Sequence, residues 1–449
     1  MRSIRFPSHR PVVCLGLLAV MGWPAVATAQ VPAPVTLSPP NPTAVELHGS
    51  TVAPIADING DGKPDIIVGS YFGSGNVGRV YIYSGATGQR IRQLGQPIVE
   101  VDGFFGYSLS GVSDVNGDGV PDVIVGAPND SPGSSPAQCG RVYLYSGATG
   151  GFLRTLVPPR AEAFGNFGES VAGIQDLNGD GRGDVVVGFP HEDRMSSSGS
   201  NSDSGRVVIY SGATGQIIRN ILPIAPEDSG DFGKAVAVAP DMNGDGIQDV
   251  IVGAPKERPD DAGRVYIYSG ATGAFLRKLL PPTPQNDGRF GEAVASVPDA
   301  TGDGIPEVIV GAPREFGRAG RAYIFNGATG VLIRTLVSPG NEADGRFGTS
   351  VAGVPDLNND GRGDAIVGAS HEDPGTSPNN NGRAYIYSGT GAFLFKLIPP
   401  NGNSSEEFGY SVCGLGDTNN NGRGEVVVGA PGDDNGSNNG DGNAFHYRF

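Results

Sequence analysis

Asp114-Val115-Asn116-Gly117-Asp118-Gly119-Val120-Pro121-Asp122 is an acidic nine-residue stretch followed at once by the apolar run Val123-Ile124-Val125-Gly126. The same pattern, Asp-x-Asn-Gly-Asp-Gly-x-x-Asp with small variations, begins again at Asp57, Asp176, Asp241, Asp299, Asp356 and Asp417. Successive copies stand 57, 62, 65, 58, 57 and 61 residues apart. One unit therefore fills almost the whole chain. A unit that short cannot bury its own apolar face, so the copies must stack or close on themselves.

Each unit reads alike. In the third, Phe167-Gly168-Glu169-Ser170-Val171-Ala172-Gly173 precedes the acidic loop, and Val185-Val186-Val187-Gly188 follows it. After a loop of variable length come Gly205-Arg206-Val207-Val208-Ile209-Tyr210, the turn Ser211-Gly212-Ala213-Thr214-Gly215, and Gln216-Ile217-Ile218-Arg219. Short apolar runs rich in β-branched and aromatic residues, bounded by glycine and proline, predict four strands per unit. Four antiparallel strands repeated radially make a propeller blade.

The expected fold is all-β, a seven-bladed β-propeller closed by an N-terminal strand. The ending Ala444-Phe445-His446-Tyr447-Arg448-Phe449 aligns with a third strand, and no fourth follows it. Thr36-Leu37-Ser38-Pro39-Pro40 matches Thr155-Leu156-Val157-Pro158-Pro159, where a fourth strand ends. The N-terminal segment is thus expected to complete blade seven and remove the open sheet edge. The blades span about 45–97, 102–158, 164–223, 229–281, 287–338, 344–399, and 405–449 with 34–40, within one domain at 30–449.

Residues 1–29 read as a secretory signal peptide: Arg2, Arg5 and Arg10, then an apolar run from Val12 to Val20, then the small-residue site Ala27-Thr28-Ala29. A retained membrane anchor is the alternative. The mature chain is expected to be secreted, periplasmic or held at the cell surface, without a membrane span and as a monomer. The net charge of −16 includes the three leader arginines, so the mature surface is more acidic still. That argues against nucleic acid or anionic lipid as partners and favours cations. Cys139 and Cys413 remain after leader cleavage; export permits a disulfide, but Cys413 stands where Ala172 and Ala352 stand in other units and reads as a small buried residue.

Within each acidic loop, positions 1, 3, 5 and 9 carry oxygen side chains, and position 6 is glycine. The sets are Asp57, Asn59, Asp61 and Asp65; Asp114, Asn116, Asp118 and Asp122; Asp176, Asn178, Asp180 and Asp184; Asp241, Asn243, Asp245 and Asp249. The remaining sets are Asp299, Thr301, Asp303 and Glu307; Asp356, Asn358, Asp360 and Asp364; Asp417, Asn419, Asn421 and Glu425. Alternating oxygens around a glycine bend suit Ca2+, with the position-7 carbonyl as a backbone ligand. Up to seven ions are expected. The seventh loop, with two carboxylates, should be the weakest. An EF-hand is excluded, because position 12 of the second loop is Val125, inside a strand.

Phe-Gly at 105, 167, 232, 290, 347 and 408, the acidic loop, and Gly-Ala-Pro at 126, 253, 311 and 429 recur in that order. In this the chain resembles the FG-GAP repeat, found in the propeller head of integrin α subunits and in secreted bacterial relatives. The first unit departs from it with His48-Gly49 and Gly69-Ser70-Tyr71, the third with Gly188-Phe189-Pro190, and the sixth with Gly368-Ala369-Ser370. The resemblance implies a calcium-stabilised propeller.

Acidic loops and Gly-Ala-Thr-Gly turns should share one rim, and the length-variable loops between second and third strands the other, which makes that second rim a candidate recognition surface. His191-Glu192-Asp193 and His371-Glu372-Asp373 start two such loops at equivalent positions, so repetition explains them without catalysis. Arg182-Gly183-Asp184 and Arg362-Gly363-Asp364 spell an adhesion tripeptide, yet each Asp is position 9 of an acidic loop. The expected function is binding or adhesion to an extracellular protein or glycan. A secreted enzyme, such as a polysaccharide lyase or phospholipase, is the alternative.

Overall fold

The computed structural model describes residues 31–40, 46–72, 77–131, 137–196, 199–201, 203–373, 380–400, 405–433 and 441–449. The leader read at 1–29 lies outside the described residues, as do parts of five of the loops between second and third strands. Thr51–Ile55, Asp65–Ser70, Arg79–Tyr83 and Arg90–Gly95 pair antiparallel in chain order. The next blade repeats them as Ser108–Val112, Asp122–Ala127, Arg141–Tyr145 and Phe152–Leu156. Seven four-stranded sheets of this kind are present among the described residues.

The innermost strands form a closed circle. Thr51–Ile55 touches Ser108–Val112 on one side and Ser411–Leu415 on the other, and the contacts run unbroken through the remaining blades. Each sheet therefore packs both faces against neighbours. That explains why the second strand is a continuous apolar run, since all six residues of Asp122–Ala127, and of every equivalent strand, are buried. The outer strand is half wet: in Phe275–Leu279 the first residue is exposed and the last buried.

Closure follows the expectation. Val35–Leu37 pairs antiparallel with Asn443–Tyr447, placing Leu37 opposite Ala444. Leu156 stands opposite Val142 and Leu279 opposite Val265 in the same way, so the N-terminal strand takes the register of a fourth strand.

The Phe-Gly pair staples neighbouring blades. Phe167 donates its amide to the Cys139 carbonyl of the preceding blade at 3.1 Å, and Gly168 donates to Gly188 of its own blade at 3.0 Å. The Phe167 ring is buried edge-on against Tyr210. Gly168 has φ 87°, and a Cβ there would lie 2.8 Å from the Arg141 carbonyl oxygen, so the position requires glycine.

The departures from the repeat compensate one another. Buried His48 replaces the phenylalanine, and its Nδ1 lies 2.8 Å from the hydroxyl of Ser70, which replaces the alanine of Gly-Ala-Pro. In blade three Phe189 replaces that alanine while Val208 stands where other blades have a tyrosine such as Tyr143. The ring thus enters from the adjacent strand and packs edge-on against Phe167. Cys139 and Cys413 are buried free thiols. The helical turn Glu315–Arg318 has left-handed backbone at Phe316 and Gly317, and is a turn within an all-β molecule.

Candidate functional site

The acidic loop is folded by its own carboxylates. Asp57 accepts hydrogen bonds from the amides of Asn59, Gly60 and Gly62, Asn59 Oδ1 accepts from Asp61, and Asp61 Oδ1 accepts from Lys63. Gly60 and Gly62 hold φ near 80°, where the chain reverses without steric cost. Loops two, three and four repeat this net. Slight burial opposes ionisation of Asp57, Asp176 and Asp241, but their backbone amides outweigh it and hold each below the usual carboxylate range.

Position 9 behaves in the opposite way. Asp65, Asp122, Asp184 and Asp249 are buried, each accepting the position-2 amide and the glycine amide of the strand-three to strand-four turn. Burial pushes these four up to about 6, against the pull of those amides, and the carboxylates at positions 5 and 1 push further. Asp364 is driven up to about 7 by the same burial. A divalent cation would reverse that balance by favouring the ionised form. The donor set fits one: in loop five Asp299, Asp303 and Glu307 bring carboxylate oxygens within 4.8 Å of one another. Asp, Asn, Thr and Glu oxygens of this kind would hold Ca2+.

Sequence reasoning missed the turn serine. Ser84, Ser146, Ser211 and Ser269 each place a hydroxyl 3.2–3.3 Å from the position-5 carboxylate, and Asn326 donates its side-chain amide to Asp303 at 2.7 Å. The signal was the fixed Ser-Gly-Ala-Thr-Gly sequence, read only as a turn.

The loops differ in ways that charge counting does not show. Arg182, position 7 of loop three, reaches back to Asp114 of loop two at 2.8 Å. Lys63 of loop one reaches the Asp417 carbonyl at 3.0 Å. In loop seven Glu425 lies 2.5 Å from buried His446 and accepts the Thr418 hydroxyl, while Asn421 donates to the Phe449 carbonyl. Asp184 and Asp364, the acids of the two Arg-Gly-Asp tripeptides, are fully buried and so closed to a macromolecular partner.

On the opposite rim a second set of acids recurs four residues after the glycine of Gly-Ala-Pro or its variants. Asp130, Glu257, Glu315 and Glu372 are buried and accept hydrogen bonds from the hydroxyls of Tyr143, Tyr266, Tyr323 and Tyr385. Burial pushes Asp130, Glu257 and Glu315 up to about 7. In blade three, where Val208 has no hydroxyl, Glu192 pairs with Arg206 at 2.6 Å. The glutamates of both His-Glu-Asp triplets are therefore packing elements.

Residues 48–83, 105–145, 167–210, 232–268, 290–325, 347–387 and 394–447 match the FG-GAP repeat. The chain belongs to the FG-GAP repeat family. It is similar to integrin alpha pat-2 of Caenorhabditis elegans, 30% identical over 46% of this chain and 18% of the relative. It is also similar to mouse integrin alpha-8, 32% identical over 47% and 20%, and to human integrin alpha-11, 32% over 37% and 15%. This FG-GAP propeller therefore spans a fifth or less of the length of these relatives. No helix among the described residues is long and apolar enough to cross a membrane.

Proposed function

We propose that this FG-GAP propeller is an exported, calcium-binding recognition module for an extracellular protein or glycan. The observation that carries it is the acidic loop: backbone amides hold position 1 ionised, while position 9 is buried among carboxylates that a cation would relieve. Kinship with integrin α chains, which are adhesion receptors, favours binding over turnover. The burial of Glu192 and Glu372 against Arg206 and Tyr385 points the same way, since those acids are engaged in packing. Metal in up to seven loops would rigidify one rim of a ring whose other rim is left for the partner.

The test is a glycan array and a pull-down from extracellular material, each with calcium and with EDTA. Retention that requires calcium supports the module. Turnover of a pectin-type polysaccharide or a phospholipid would replace it with the enzyme reading. A cleaved N-terminus at Gln30 in the exported protein would establish the leader.

A further inference from the structure

The residue after glycine in each Phe-Gly pair, or in His48-Gly49 of blade one, breaks the repetition that governs the rest of the blade: Ser50, Tyr107, Glu169, Lys234, Glu292, Thr349 and Tyr410. Six of these, all but Ser50, line a funnel of about 330 Å³ on the rim away from the acidic loops, together with Arg314 and Arg346. The volume lies at the lower end for small-ligand sites.

Its polar groups are only partly used. Lys234 is ion-paired to Glu169 Oε1, and burial of its ammonium is outweighed by Glu169, Tyr107 and Glu292, which hold it charged. Glu169 is nine-tenths buried, yet its Oε2 has no hydrogen-bond partner. Among the described residues, no hydrogen bond or ion pair engages the Arg346 guanidinium. An orphan acceptor and a guanidinium whose donors are unspent thus line the same funnel, a combination that favours a ligand bearing both hydroxyls and an anion.

Tyr107 and Tyr410 are the aromatic residues that line the funnel, and a cluster of rings backs Tyr107. Tyr107 lies 5.4 Å from Tyr71 and is stacked with Phe104, while Phe72 packs on Tyr71 and Phe104 at 5.2 and 5.3 Å. All four rings are partly exposed. A flat apolar face beside dense polar groups suits a pyranose ring, whose C–H face packs on aromatics while its hydroxyls bond outward.

We propose that this funnel binds a carboxylate-bearing saccharide, with Tyr107 under the sugar ring, Arg346 on the carboxylate and Glu169 accepting a hydroxyl. The assignment rests on the recognition-module reading and gives it a ligand class. Titration calorimetry of the full protein with digalacturonate, in calcium, tests it. Binding is expected, with galactobiose, the neutral counterpart, weaker by roughly tenfold, the value of one charge-assisted contact. Arg346→Ala and Tyr107→Ala should each weaken digalacturonate by roughly tenfold or more at unchanged melting temperature. Tyr107→Phe, which keeps the ring, should retain binding, and Asp118→Ala on the far rim should leave it intact. Absence of digalacturonate binding, equal binding of galactobiose, or indifference to both alanine substitutions overturns the funnel site. Capture of extracellular material that survives both substitutions overturns it while leaving the recognition module standing; no capture at all defeats both.

Discussion

Asp118 and Glu257 are both acids copied from blade to blade, yet they live under opposite physics. Asp118 is exposed, and hydrogen bonds from the Val120 amide, the Asn116 amide group and the Ser146 hydroxyl keep it ionised. Glu257 is 1% exposed, is pushed up to about 7 by burial, and is held by the Tyr266 hydroxyl and Arg264. One rim presents charge that a cation can collect; the other uses acids to anchor loops on tyrosines. An acid that recurs from blade to blade is therefore not by itself evidence of metal. Its exposure and its hydrogen-bond partners decide the matter.

The largest effect should come from removing calcium. An ion that binds only folded loops adds about 2.7 kcal/mol per site at a hundredfold excess over its dissociation constant. EDTA should therefore lower the melting temperature sharply in scanning calorimetry. A protein proven metal-free that melts unchanged would make both rims merely structural.

Glu257→Ala probes the other rim. It strands the buried Tyr266 hydroxyl, while Arg264 keeps Glu227 at 2.7 Å, and should cost about 1–3 kcal/mol. The loss should be equal with calcium or EDTA. A loss that appears only in calcium would join Glu257 to the metal network and dissolve the contrast.

pH should pull the rims apart. Asp130, Glu257 and Glu315 titrate near 7 when folded, above ordinary carboxyl values, so the native state holds extra protons between roughly 4 and 7. Their contribution is fully present at low pH and is lost as pH rises through 7. In EDTA, stability should accordingly fall from pH 5 to 7.5. The increment due to calcium should grow over the same interval, because metal needs ionised ligands. Parallel slopes in both media would contradict the division.

The smallest effect separates loops on the same rim. Asp118→Ala should remove one tight ion. Asn421→Ala should change little at micromolar calcium, because Glu425 is diverted to His446 and Asn421 to Phe449. Equilibrium dialysis at micromolar and then millimolar calcium counts the ions, and equal filling of all seven loops would show that neither charge nor diversion sets the order.

Much of the fold was legible because the repeat is local. Strand runs, glycine bends and acidic loops lie within a few residues of one another, and the match of Leu37 to Leu156 places the closing strand from the chain alone. The candidate ligands were legible for the same reason, being alternate residues of one turn. The contact of Ser84 with Asp61 was hidden because the hydroxyl comes from the next hairpin, 23 residues away.

What the sequence determined by itself, then, is the unit, its sevenfold repetition, the closure and the oxygen-rich loops, all of which follow from short-range chemistry. Only the tertiary structure decided which acids are buried, that Arg182 reaches Asp114 across 68 residues of chain, and that Lys63 meets Asp417 across 354. It alone gathered Tyr107, Glu169, Lys234 and Arg346 around one funnel. The reason is geometric: closing the ring brings equivalent positions of separate blades together at the axis and at blade seams, and no periodicity along the chain records which side chains then face one another.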